Sequence, residues 1–137
     1  MKRVILIIMA IILLALGGFL LLNNQSGKTT VEEKTLTLSE QVRSTNGQII
    51  DVREPSEYES GHADGAINIP LGNILNGDFS KIDQNRPIYV YCRSGVRAGQ
   101  AKVALEKVGN RGVTNLGGLS DWQAKGSSVC PTMNPSC

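Results

Sequence analysis

The sequence predicts an α/β domain on a mainly parallel five-stranded sheet with helices on both faces, preceded by an N-terminal membrane helix. Short uninterrupted apolar runs, QIIDV at 48–52 and PIYVY at 87–91, have the composition of strands covered on both faces. They alternate with short helical segments, the longest at 96–108, and that alternation favours parallel strands joined by crossovers. Ahead of them, the nineteen residues from Val4 to Leu22 carry no charge. As a helix they would span about 28 Å, close to the hydrocarbon thickness of a bilayer.

The N-terminal segment has two readings, an uncleaved anchor and a cleaved signal peptide. Its apolar run ends in Phe19-Leu20-Leu21-Leu22-Asn23-Asn24, a poor cleavage site, which favours a signal-anchor over residues 1–22. Lys2 and Arg3 argue that the N-terminus stays in the cytoplasm and the body is exported. Those two residues also account for the formal charge of +2: without them 12 basic residues face 12 acidic ones. With a neutral body, no basic run and few aromatics, no nucleic-acid partner is expected. With 137 residues the chain holds one folded domain.

Residues 23–34 (NNQSGKTTVEEK) are polar and read as a linker. The domain is expected over 35–126. It opens with a helix at 36–43, capped by Thr37 or Ser39, with Leu36 and Val42 facing inward. After the turn 44–47 comes the first strand, 48–52, and Pro55 starts a one-turn helix to Glu59. Residues 61–65 read as a loop, 66–69 as a strand stopped by Pro70, and 71–75 as a brief helix. The central strand ends at Cys92. The helix after it is expected to turn Val96, Val103, Ala104 and Val108 inward. A last strand at 112–116, a Gly117-Gly118 turn and a helix at 119–124 with Trp122 packed inward complete the domain, leaving 127–137 as a tail.

Cys92-Arg93-Ser94-Gly95-Val96-Arg97 joins a strand directly to a helix. Such a loop aims backbone N–H groups and the positive end of a helix dipole at one point, which makes an anion cradle. The same field lowers a thiol pKa, so Cys92 reads as a thiolate nucleophile, with Arg93 and Arg97 adding positive charge.

Three stretches resemble one family. Asp51-Val52-Arg53-Glu54-Pro55-Ser56-Glu57-Tyr58 with Gly61-His62-Ala63-Asp64-Gly65-Ala66-Ile67-Asn68-Ile69-Pro70 resembles the first rhodanese signature. Cys92 to Ala98 resembles the rhodanese active-site loop, and Gly117-Gly118-Leu119-Ser120-Asp121-Trp122 the closing motif. Together they cover the folded body in the right order. The resemblance implies a rhodanese-like domain of the single-domain thiosulfate sulfurtransferase kind, similar to small periplasmic, phage-shock-type rhodaneses. It implies a domain held in the periplasm by residues 4–22 in the inner membrane, or soluble there after signal cleavage.

The resemblance also implies a reaction. Cys92 attacks the outer sulfur of thiosulfate or a similar small anionic donor, sulfite leaves, and the Cys92 persulfide passes its sulfur to cyanide or a thiol. No cofactor is implied beyond that persulfide. Arg97 is expected to anchor the loop and the donor anion, Arg93 to form an electropositive rim, and Ser94, Gly95 and Val96 to line the cradle. Asp51 and Arg53 are read as an ion pair bracing the loop, and His62, the only histidine, as a loop-organising residue.

Two other classes stay open. A phosphatase or arsenate reductase also uses a cysteine in an anion cradle, but with Cys-x5-Arg spacing, and here Cys92 and Arg97 are Cys-x4-Arg. A non-enzymatic rhodanese-like binding module typically lacks the cysteine, whereas this chain keeps Cys92 and both arginines; a sulfur-carrier module lies between the two readings. The remaining cysteines, Cys130 and Cys137, are too widely spaced for a usual zinc pair and read as a disulfide in an oxidising compartment, or as acceptors of sulfur from Cys92. No metal is expected.

Overall fold

The computed structural model of the chain describes residues 35–131. The expected membrane segment, the linker and Cys137 lie outside them; among the described residues no helix is long and apolar enough to cross a membrane. The elements, in order, are α1 (Leu38–Ser44), β1 (Gln48–Asp51), α2 (Pro55–Glu59), β2 (His62–Ala63), β3 (Ala66–Asn68), α3 (Leu71–Leu75), β4 (Ile88–Cys92), α4 (Val96–Lys107), β5 (Val113–Gly118), α5 (Leu119–Ala124) and β6 (Val129–Cys130).

The main sheet is four-stranded and fully parallel, in the order β3-β1-β4-β5. The expected fifth strand is absent from it. Instead β2, in the stretch read as a loop, pairs antiparallel with β6, in the stretch read as a tail, matching His62 with Cys130 and Ala63 with Val129. The described part of that tail is therefore packed on the domain, and Ser127 and Cys130 are buried.

Both sheet faces are covered, as expected. Ile50, Val52, Val90 and Cys92 point to one face and pack under α3 and α4 with Ile74, Ala98, Ala101 and Leu105. Ile49 and Tyr91, one residue out of phase, point to the other face and pack with Leu38, Val42, Ala66 and Trp122.

Two inward faces differ from the sequence reading. Thr37 caps α1 through a capping box with Glu40, so Leu36 precedes the helix and is exposed, and the buried i,i+4 pair is Leu38 and Val42. In α4, Val96 and Val103 are 68% and 65% exposed and Val108 is also exposed, whereas Ala98, Ala101 and Leu105 are fully buried. Ala104 alone of the expected set packs against the core. Small side chains let α4 lie close on β4 and β5, and the larger valines fall on the far side of the helix.

This phase has a measurable consequence. Leu105→Ala is expected to cost about 2–5 kcal/mol by opening a cavity under α4. Val103→Ala is expected to stay within about 0.5 kcal/mol. Equilibrium urea unfolding of the two variants checks the assignment.

Candidate active site

Cys92 ends β4, with its side chain 1% exposed and its thiol free of any disulfide. Residues 93–95 then turn the chain into α4. Gly95 is the N-cap, with φ of 86°, a left-handed conformation that disfavours any side chain. A Cβ there would also stand 3.2 Å from Gly117 Cα. The turn brings Gly95 N–H to 3.1 Å from Cys92 Sγ. Burial pushes the thiol pKa up, but the backbone N–H groups of Ala98, Ser94, Gly95 and Arg97 outweigh it and bring the value below that of an ordinary cysteine.

The loop is held in place by β5. Asn115 donates from Nδ2 to Gly95 O at 3.0 Å and accepts from Gly117 N–H at 2.8 Å. Cys92 pairs with Gly118 just past a register shift that begins at Val90. At Gly118 a Cβ would overlap the Arg93 carbonyl. The Gly117-Gly118 pair thus closes the strand and lets the reactive loop lie directly against it. The Gly118 N–H is taken up by Asp121 Oδ2 at 2.6 Å.

Asp51 and Arg53 do form an ion pair, at 2.6 Å and almost wholly buried. Asp51 also accepts from the Arg53 backbone N–H at 2.9 Å and from Tyr91 Oη at 2.6 Å. Arg53 Nη2 donates onward to Gly61 O at 2.7 Å, and the Tyr91 oxygen accepts from Ala63 N–H at 3.0 Å. Burial disfavours the Arg53 charge, but the Asp51 carboxylate holds its pKa above the ordinary value. Burial and the Asp51 charge push the Tyr91 phenol well up, so it stays a neutral donor. His62 takes no part at the sulfur: it is buried, stacks on Tyr58 at 3.8 Å and has Nδ1 3.0 Å from Tyr58 O.

Arg97 is not an open anion ligand. Its guanidinium makes a two-pronged pair with Glu57 of α2, at 2.7 and 2.8 Å. Those hydrogen bonds hold the Glu57 carboxyl down to about 2, and together with the nearby Cys92 sulfur they raise the Arg97 pKa. Arg93 is exposed and has no hydrogen bond or ion pair among the described residues. Tyr91, Asn115 and Glu57 are the residues that sequence reasoning missed. Glu57 carried a weak signal, an acid on the helix that follows the first strand's carboxyl end. Cys130 lies in β6 and is disulfide-bonded, and its expected partner Cys137 is outside the described residues. Among those residues no group of three or more His, Cys, Asp or Glu is placed to hold a metal.

A parallel α/β sheet thus presents a buried cysteine to the peptide N–H groups of the loop that follows it. The chain belongs to the rhodanese-like domain family, whose model matches residues 35–125. It is 44% identical over 73 residues to thiosulfate sulfurtransferase PspE of Escherichia coli (strain K12), which covers 53% of this chain and 70% of that one. It is 43% identical over 95 residues to YqhL of Bacillus subtilis (strain 168), 67% of this chain and 74% of that protein. A solved rhodanese with anions from E. coli is 42% identical and superposes with a TM-score of 0.51 over 55% of this chain and 89% of its own.

The two charge pairs make separable predictions. Asp51→Asn leaves the Arg53 charge buried beside a neutral amide and is expected to cost about 3–5 kcal/mol in urea unfolding. The Glu57–Arg97 pair acts through pH. Glu57 lies near 2 when folded and near 4.5 otherwise, so its contribution is complete above about pH 4.5 and is lost as pH falls toward about 2. The stability gap between the wild type and Glu57→Gln should therefore be constant around neutrality and shrink on acidification. A gap that grows in acid would contradict the pairing.

Proposed function

We propose that the domain is a sulfurtransferase that moves sulfane sulfur from thiosulfate, or a similar donor, to a thiophilic acceptor such as cyanide or a thiol. The observation that carries the reading is the Cys92 thiol in its ring of backbone N–H groups, with a pKa below that of an ordinary cysteine. In the first half-reaction the Cys92 thiolate attacks the outer sulfur of thiosulfate. The S–S bond of the donor breaks, sulfite leaves with the electron pair, and Cys92 carries a persulfide. In the second, the acceptor attacks the outer persulfide sulfur and Cys92 leaves as thiolate. Neither step requires a general base once the thiol is ionised. The loop N–H groups meet the charge on sulfur in both states.

The pairing of Arg97 with Glu57 favours this reading over phosphoryl or arsenate chemistry. A loop that binds a tetrahedral oxyanion uses its arginine on the oxygens, and here both prongs are on a carboxylate. The similarity to PspE, whose name is thiosulfate sulfurtransferase, supports the same reading. A persulfide on Cys92 is the only prosthetic chemistry the reading calls for. Export of the domain to the periplasm, tethered by residues 4–22 or released by cleavage, belongs to the proposal. A disulfide between Cys130 and Cys137 would suit that oxidising compartment.

Intact mass spectrometry before and after thiosulfate tests the reading. The protein should gain one sulfur atom, cyanide should remove it, and Cys92→Ala should gain none. A folded protein with an unmodified Cys92 that takes up no sulfur would overturn it.

A further inference from the structure

Five large apolar side chains stand exposed among the described residues, and four of them belong to the α3–α4 layer. Leu75 ends α3, Val96 and Val103 lie along α4, and Val108 caps it. Between the two helices a cavity of about 520 Å³ is walled mainly by Leu75, Phe79, Val103 and Val108. Exposed apolar residues scattered singly need no explanation, but a cluster of them around an apolar cleft marks a surface that something covers. The charge on this face has one sign. Val96, Gln100, Val103 and Lys107 follow one another at helical spacing on the outward side of α4. Lys107 is the one charged residue in the cavity wall, and it has no ion pair among the described residues. The acids of these segments are already engaged: Glu106 pairs with Lys102, and Asp78 accepts from Ser80.

An apolar face with an unpaired lysine is the complement of an anionic bilayer surface. There apolar side chains enter the headgroup boundary and the lysine meets lipid phosphate. It complements a second copy poorly, because an isologous pairing would bring two unpaired Lys107 side chains into one interface. The chain outside the described residues points to the same occupant. Val4 to Leu22 carry no charge, and only the twelve residues from Asn23 to Lys34 separate them from the domain. Twelve residues reach about 40 Å at full extension. A domain of about 100 residues has a radius of gyration of about 13 Å, so such a linker lets any of its faces turn to the bilayer. Accepting the tether by residues 4–22 proposed above, on which this inference rests, we infer that the α3–α4 face docks on the surface of an anionic bilayer. The tether makes that docking intramolecular, so a small patch suffices to hold it. Val96 follows Gly95 of the reactive loop directly, and the docked face therefore begins where the cradle ends.

The test uses the full-length protein in vesicles of phosphatidylethanolamine and phosphatidylglycerol that include a phospholipid with a photoreactive diazirine near its headgroup. After illumination, lipid adducts are mapped by peptide mass spectrometry. Adducts should appear on residues 4–22 and, within the domain, on the peptides of α3 and α4 rather than on those of α1 and α5. Leu75 and Val103 are exposed, so Leu75→Asp and Val103→Asp should fold as the wild type does, which thermal unfolding checks. Both should lose the α3–α4 adducts and keep those on 4–22. Lys107→Gln should lower the α3–α4 adducts by up to about fivefold with phosphatidylglycerol present, and should leave them unchanged in phosphatidylcholine alone. Adducts on 4–22 without any on α3 and α4 would overturn the docking and leave the tether intact. No adducts on 4–22 would overturn both. A dimer of the detergent-solubilised chain that Val103→Asp dissociates, seen by analytical ultracentrifugation, would assign the face to a second copy and overturn the bilayer as its occupant.

Discussion

A carboxylate with no exposure to solvent sits at the carboxyl end of β1, and the arrangement of the reactive edge depends on how its charge is met. Left alone, the Asp51 side chain would cost several kcal/mol to bury. Arg53 meets it with its side chain and its own N–H, and Tyr91 with a hydroxyl. Each of these groups also ties down another part of the chain. The Arg53 guanidinium reaches Gly61 at the mouth of β2. Tyr91 takes the Ala63 N–H and is itself the residue before Cys92. Satisfying one buried charge therefore sets β1, β2 and the end of β4 in one register, and places the cysteine relative to the strands around it.

Beyond that point the site relies on backbone. The groups that favour a thiolate at Cys92 are peptide N–H groups of the loop and the first turn of α4. They can converge only because Gly95 adopts a left-handed turn and because Gly118 leaves room for the Arg93 carbonyl. Asn115 fixes the loop from the neighbouring strand. Arg97 contributes by clamping the start of α4 to α2 through Glu57. The cradle is thus held by the fold itself, and a negative charge placed in it would meet oriented dipoles that need not reorganise.

Much of this was legible in the sequence where the interactions are local. A strand running straight into a helix through Cys-x4-Arg identifies the cradle, and Asp51 and Arg53 are close enough in the chain to suggest their pair. The parallel α/β class followed from apolar runs alternating with short helices. What was not legible depends on contacts distant in sequence or on packing. Glu57 and Arg97 are 40 residues apart. The β2–β6 pairing joins two-residue strands too short to show any periodicity, so the sheet was read with one strand too many and the tail as loose. The phase of α4 misled for another reason. Its buried face is built largely from alanines, chosen by the closeness of helix and sheet, and the bulkier valines drew the inward face to the wrong side.

A division of labour follows from using peptide groups for the sulfur and side chains for its surroundings. A backbone cradle holds a single sulfur in the same way whatever the sequence around it, provided that the glycines and the bracing pairs remain. Side chains at the rim are under no such constraint. Arg93, Ser120 and Gln123 make no hydrogen bond or ion pair through their side chains with the rest of the described fold, so their identity can change at little cost to stability. Those positions can vary while the backbone cradle at Cys92 does not. The cradle and its rim are thereby carried by different parts of the chain, one fixed by the fold and the other set by a few replaceable side chains.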